Sequence, residues 1–161
     1  MNSDDLTLTL SLAASPEAVF AAINDPRAWW SGTIEGQTDA LGAEFTYAYK
    51  SMHRSRQRVS EWVPGKRVVW HVIDSQLTFV KDPSEWKGTD IVFDLVRQGD
   101  GTQLTLTHRG LRPTCECFDA CSSGWSSLAT ENLRSLVERR KTAQSDKSGS
   151  EPMPGVRSAS R

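Results

Sequence analysis

One long amphipathic segment near the end of the chain limits the possible folds most. From about Cys117 to Arg140 the apolar residues keep a helical period. At about 100° per residue, Phe118, Cys121, Trp125, Leu128, Ala129, Leu133 and Leu136 share one face. A lone helix with so wide an apolar stripe must lie across another element, and the segments before it read as strands. Asn132 falls in the middle of the stripe. A polar group there requires a partner and predicts a gap between helix and sheet that side chains do not fill.

The strands follow from alternation. Leu6, Leu8, Leu10 and Leu12 alternate with Thr7, Thr9 and Ser11, a half-buried strand. Ser15-Pro16-Glu17 then starts a short helix, with Ser as N-cap and Pro in the first turn. Val19, Phe20 and Ile23 form its apolar side, and a second short helix from Asp25-Pro26 ends near Trp29-Trp30. Gly32 to Gly42 reads as loop. Phe45, Tyr47 and Tyr49 mark a second strand, and a third runs from about Ser55 to Val63. Arg54, Arg56 and Arg58 occupy the wet face of that third strand, with Val59 and Glu61 in phase on the other. Pro64-Gly65 is a tight turn. Val68 to Ile73, Thr89 to Arg97 and Thr102 to His108 complete six strands, with Asp74 to Lys87 a partly ordered loop over the sheet. Short turns between strands predict antiparallel pairing. The fold class is therefore α+β: a curved six-stranded antiparallel sheet wrapped around a long C-terminal helix, with two short helices after strand 1. Residues 1–141 form this domain. Residues 142–161, rich in Ser, Gly, Pro and Lys, are expected to be a disordered tail.

Composition narrows the function. A net charge of −1 over 161 residues argues against nucleic-acid binding. No apolar run reaches the roughly 20 residues that span a bilayer, and Met1 to Asp5 lacks the basic start of a signal peptide, so a cytoplasmic protein without membrane insertion is expected. Six tryptophans, at 29, 30, 62, 70, 86 and 125, serve either core packing or an aromatic pocket.

The order of elements resembles the helix-grip fold of the START/Bet v 1-like (SRPBCC, polyketide cyclase-like) superfamily. Within it, the chain is most similar to the family of homologues of the activator of the heat-shock protein 90 ATPase. The carrying segments are Ala14 to Phe20, Trp29-Trp30, Glu61 to Trp70, Gly101 to His108, Gly124-Trp125 and Asn132-Leu133-Arg134, spread over about residues 6 to 140. The resemblance implies a deep cavity between sheet and last helix, where relatives bind lipids, hormones or polyketides and a few catalyse cyclisation or hydrolysis. It does not transfer the co-chaperone role by name.

Within such a cavity the expected ligand-binding residues are Trp30, Tyr47, Trp70, Phe93, Leu106, His108, Trp125, Leu128 and Asn132. His108, in phase with Leu104 and Leu106, is a candidate general base, and Glu61 a candidate carboxylate beside it. Against these stand a structural histidine and a solvated glutamate. Cys115, Cys117 and Cys121 at the helix start are candidate ligands for a soft ion or a redox-sensitive pair, although their spacing matches no usual zinc pattern and buried thiols often only pack. No cofactor is expected. The favoured function is binding of a small apolar or amphipathic molecule, without chemistry. The alternatives are a cyclase- or hydrolase-type enzyme using the same cavity and a co-chaperone-like interaction module with a chaperone or homodimer partner.

Overall fold

Alternation of inward apolar and outward polar side chains sets the strands, and the computed structural model, which describes residues 5–141, shows seven of them. They are β1 (Leu6–Leu12), β2 (Thr33–Gly36), β3 (Glu44–Tyr49), β4 (His53–Val63), β5 (Arg67–Leu77), β6 (Asp90–Gln98) and β7 (Gly101–Arg109). Every neighbouring pair is antiparallel, in the order β1-β7-β6-β5-β4-β3-β2. Strands β2 to β7 run in sequence order across the sheet. Between β1 and β2 the chain crosses from one edge to the other through α1 (Pro16–Ile23) and a 3-10 turn (Pro26–Ala28). Ser15 caps α1 by accepting from the Ala18 N–H at 3.2 Å, and Val19, Phe20 and Ile23 are buried beneath it. Pro64-Gly65 closes as a β-turn, with Lys66 N donating to Val63 O at 2.9 Å and Gly65 at φ 74°.

Two strand boundaries differ from the sequence reading. Thr33–Gly36 is a seventh strand at the edge, not loop. It holds one apolar residue, Ile34, opposite Tyr47, too little for a period to show. Gly32 permits its close approach, since a Cβ there would lie 2.0 Å from Ala48 O. Strand β5 continues to Leu77 rather than ending near Ile73. Its inward positions beyond Val72 are Ser75 and Leu77, paired with Ser55 and His53, so a polar residue in the core phase hid it.

The C-terminal helix runs from 118 to 141. It is α-helical over α2 (Phe118–Ser126), takes one π-helical stretch at Ser127–Leu133, and is α-helical again over 134–141. Its buried residues Cys121, Trp125, Ala129 and Leu133 are spaced four apart. On a straight α-helix each such step drifts by about 40°. The wider π turn, bonded i to i+5, takes up more residues per turn and cancels the drift. The same turn swings Asn132 away from the stripe: it is exposed and donates to Trp29 O at 3.0 Å.

A curved sheet thus grips one long helix, and the space between them is largely filled. Trp29, Trp70, Phe45 and Phe93 are fully buried and interlock edge to face, with ring centroids 4.8 Å apart for Trp70–Phe93 and 5.1 Å for Phe45–Trp70. Among the described residues no helix is long and apolar enough to cross a membrane. The expected tail, 142–161, lies outside the described residues.

Phe93→Ala should lower the unfolding free energy by about 3–5 kcal/mol, read from urea transitions. Val96→Ala, on the exposed side of the same strand, should change it by less than about 0.5 kcal/mol. Equal effects would contradict this placement of the core.

Candidate functional site

Because the indoles fill the deep interior, the open volume lies at the rim of the grip. A cleft of about 390 Å³ sits where the first turns of the C-terminal helix meet the ends of β3 and β4 and the 78–89 loop. The helix contributes Ala120, Cys121, Ser123, Gly124, Trp125, Ser127 and Leu128. The sheet side gives Tyr47, Tyr49, Met52 and His53, the loop Phe79 and Trp86, and the segment before β2 Trp30 and Ser31. None of these lining residues is Asp, Glu, Lys or Arg.

Two of its walls are set by one hydrogen-bond relay. Thr89 Oγ1 donates its single proton to Trp86 O at 2.6 Å, so it can only accept from His108 Nε2, 2.8 Å away. His108 Nδ1 is left to accept from Trp125 Nε1 at 3.1 Å. The ring is therefore neutral, of one tautomer, and engaged at both nitrogens. Burial pushes its pKa down to about 3. The relay holds Trp86 and Trp125 nearly parallel, 5° between planes and 6.1 Å between centroids.

His53 enters from β4. Its Nε2 lies 2.8 Å from Ser55 Oγ, which also accepts from Gln57 Nε2 at 2.7 Å. Its ring packs on Tyr47 and Trp86, and burial lowers its pKa to about 4. Burial likewise raises Tyr47 to about 12. At neutral pH both groups are uncharged. Trp30 Nε1, Trp70 Nε1 and Gln57 Oε1 are buried without a hydrogen-bond partner among the described residues.

The expected site residues divide. Trp30, Tyr47, Trp125 and Leu128 line the cleft. Trp70, Phe93 and Leu106 are core beneath it, fully buried, and His108 braces its wall. Asn132 holds the helix to Trp29 instead. Glu61 is exposed and pairs with Arg67 at 2.8 Å, because the register shifts between Val59 and Glu61. A bulge there turns the chain by one residue and throws Glu61 to the solvent side. The arginine row is exposed as expected, but Arg58 and Arg56 pair with Glu44 of β3 at 3.1 and 3.9 Å. Asp90 and Asp94 sit two strands away and pair with His71 and Arg67.

Among the described residues no three His, Cys, Asp or Glu side chains gather to hold a metal ion. Cys115 is set apart, its thiol 3.8 Å from Gly110 O. Cys117 and Cys121 remain in contact. The sequence reading missed His53, Phe79 and Trp86 as cleft residues. The phase opposite the arginine row, His53-Ser55-Gln57-Val59, carried the signal for His53.

Comparisons with known proteins agree with this architecture. The family model for "Activator of Hsp90 ATPase homolog 1-like protein" matches residues 13–138. No curated protein matches the chain. The solution structure of the Aha1 dimer from Colwellia psychrerythraea is similar at 22% identity and a TM-score of 0.64, over 78% of this chain and 90% of that one. Protein MLL2253 from Mesorhizobium loti is similar at 20% identity and a TM-score of 0.68, over 84% and 97%. DynU16, from the dynemicin biosynthetic locus, is similar at 18% identity and a TM-score of 0.61, over 85% and 48%.

The half-buried His53 and the buried His108 both have native pKa values below the unfolded value of about 6.5. Between those values the unfolded chain binds more protons, so stability is complete above about pH 6.5 and falls with pH, by up to about 1.4 kcal/mol per unit for each histidine. The fall ends as the native values are passed. Urea transitions between pH 7 and 5 should show a shallower fall for His108→Gln than for the unaltered chain; identical slopes would mean His108 is not buried neutral.

Proposed function

The chain belongs to the family of activator of Hsp90 ATPase homolog 1-like proteins, and on that premise we propose that it binds a small, uncharged, apolar or amphipathic molecule in the rim cleft. One observation carries the reading: a cleft of about 390 Å³ walled by Trp30, Tyr47, Trp86 and Trp125 with no charged side chain. Pockets of this size suit single small molecules. Aromatic walls reward burial of apolar surface at roughly 25 cal/mol per Å². A charged guest would lose its hydration without meeting a counter-charge. The unpartnered N–H of Trp30 favours a guest carrying a hydrogen-bond acceptor.

The enzymatic alternative loses its base, since both nitrogens of His108 are engaged and Glu61 is on the far side of a bulge. The family, and the dimer formed by the Colwellia psychrerythraea relative, are compatible with a chaperone or homodimer partner. Exposed large apolar residues do not favour that reading over the cleft. Leu41, Val63 and Val96 lie on different elements, and the other two, Met52 and Phe79, are at the cleft itself.

Gly124 allows a clean test. It lines the cleft, and a Cβ there would meet nothing within 4 Å. Gly124→Leu should occupy the space without strain and remove a helical glycine, which costs about 1 kcal/mol relative to alanine. N-phenyl-1-naphthylamine, a neutral fluorescent probe, should bind the unaltered chain and quench its tryptophans. In Gly124→Leu the affinity should fall about tenfold or more as the space is filled, with the thermal midpoint kept or raised. Unchanged affinity in a folded variant would refute the cleft as the site.

A further inference from the structure

The cleft contains one group whose chemistry a passive binding site does not need. Cys121 lies one helical turn after Cys117 and lines the cleft, while Cys117 is fully buried behind it. One N–H is aimed at the Cys121 sulfur: Trp86 Nε1 donates to Sγ at 3.2 Å, and the Cys117 thiol lies near enough to interact with it. Glu85 fixes the arrangement from outside. Its two carboxylate oxygens accept from the backbone N–H groups of Glu116 and Cys117, at 2.8 and 2.9 Å, and so cap the helix start. An N–H aimed at sulfur favours the thiolate over the thiol. Interaction with Cys121 and burial push the Cys117 thiol up; interaction with Cys117 and the Trp86 N–H hold Cys121 below the usual thiol value, against burial and the Glu85 charge. This differs from a packed cysteine, which sits among carbon atoms with no donor directed at it.

We infer that Cys121 is a nucleophile that captures soft, neutral electrophiles of the α,β-unsaturated carbonyl class in the rim cleft, with Cys117 as its positioning residue. The inference rests on the binding reading above, because the aromatic walls are what concentrate an apolar enone beside the sulfur. In the reaction Cys121 Sγ bonds to the β-carbon of the enone and the C=C π pair moves toward the carbonyl oxygen. The thiol proton ends on the α-carbon. The product is a thioether with the carbonyl restored, and nothing is oxidised or reduced. Trp30, across the cleft, carries a buried N–H without a partner, and the carbonyl oxygen is the acceptor this chemistry would offer it.

The test uses the full chain, 2-cyclohexen-1-one as probe and its saturated analogue cyclohexanone as competitor. Intact mass and peptide mapping should find one adduct, on Cys121, with the more exposed Cys115 untouched at the same exposure. At pH 7 the labelling rate should exceed that of glutathione by about tenfold or more, since a free thiol is only a few per cent ionised there. Excess cyclohexanone should slow it. Cys121→Ser should abolish the adduct. Cys117→Ala should leave Cys121 the labelled site but move the pH midpoint of labelling upward, which a purely structural role would not do. Preferred labelling of Cys115, or labelling of Cys121 no faster than glutathione, overturns the assignment. If cyclohexanone displaces N-phenyl-1-naphthylamine while Cys121 stays unlabelled, the thiol assignment fails and the cleft reading stands. If labelling of Cys121 neither saturates with enone nor slows with cyclohexanone, both fail. Peptide mapping of the unaltered chain decides the site even where a variant does not fold.

Discussion

The fully buried relay from Trp125 through His108 and Thr89 to the Trp86 carbonyl ties together parts of the chain that have no other reason to meet at these angles. It joins the helix, β7, the start of β6 and the loop before it. Each group in it has lost water, and each recovers a partner only if the others are in place. Replacing any one strands a donor or acceptor at a site with no solvent. That dependence makes the relay a better orienter than apolar packing alone, which tolerates small rotations. Its consequence is geometric: Trp86 and Trp125 stand parallel as cleft walls, and the Trp86 N–H is left pointing at Cys121.

The aromatic interior explains why the open space is at the rim. Trp29, Trp70, Phe45 and Phe93 occupy the space beneath the helix, and Trp30 joins them, 5.7 Å from Trp70 and 5.5 Å from Trp125. Close aromatic packing fills the bottom, while small residues on the helix such as Gly124 and Ser127 leave the cleft open at the top.

Much of this was legible in the sequence, and the parts that were not share a cause. Leu6 to Leu12, the Ser15-Pro16 helix start and the apolar stripe of the last helix are local patterns, and each forms the element its period predicts. Edge strand β2 has one apolar residue and is specified by pairing with β3. Ser75 and Gln57 are polar residues in core positions: Ser75 Oγ donates to Pro83 O and Gln57 Nε2 to Ser55 Oγ, while Gln57 Oε1 has no partner among the described residues. Asn132 was misplaced because a wheel of fixed pitch does not anticipate a π turn, and Glu61 because strict alternation does not anticipate a bulge. Likewise His108 does point inward, as its phase with Leu104 and Leu106 requires. Its engagement at both nitrogens depends on Thr89 and Trp125, which no local pattern connects to it.

The electrostatics of the cleft follow from the same burial. The titratable groups nearest the guest are forced toward neutrality: His53 by desolvation, Tyr47 by desolvation, His108 by desolvation. Arginines and carboxylates are spent in ion pairs on the outer sheet face, Arg58 with Glu44 and Arg67 with Glu61 and Asp94. On the proposed reading, selection in such a site works by shape and by refusal of charge, since an ionised guest would surrender its hydration for quadrupoles and hydroxyls. The Cys117–Cys121 pair is the exception. It sits at the start of the long helix, with the Trp86 N–H aimed at the Cys121 sulfur. On the proposed assignment it supplies a nucleophile to a chamber that otherwise only excludes water, and in an uncharged chamber one such group is enough to separate a reactive carbonyl from its inert analogue.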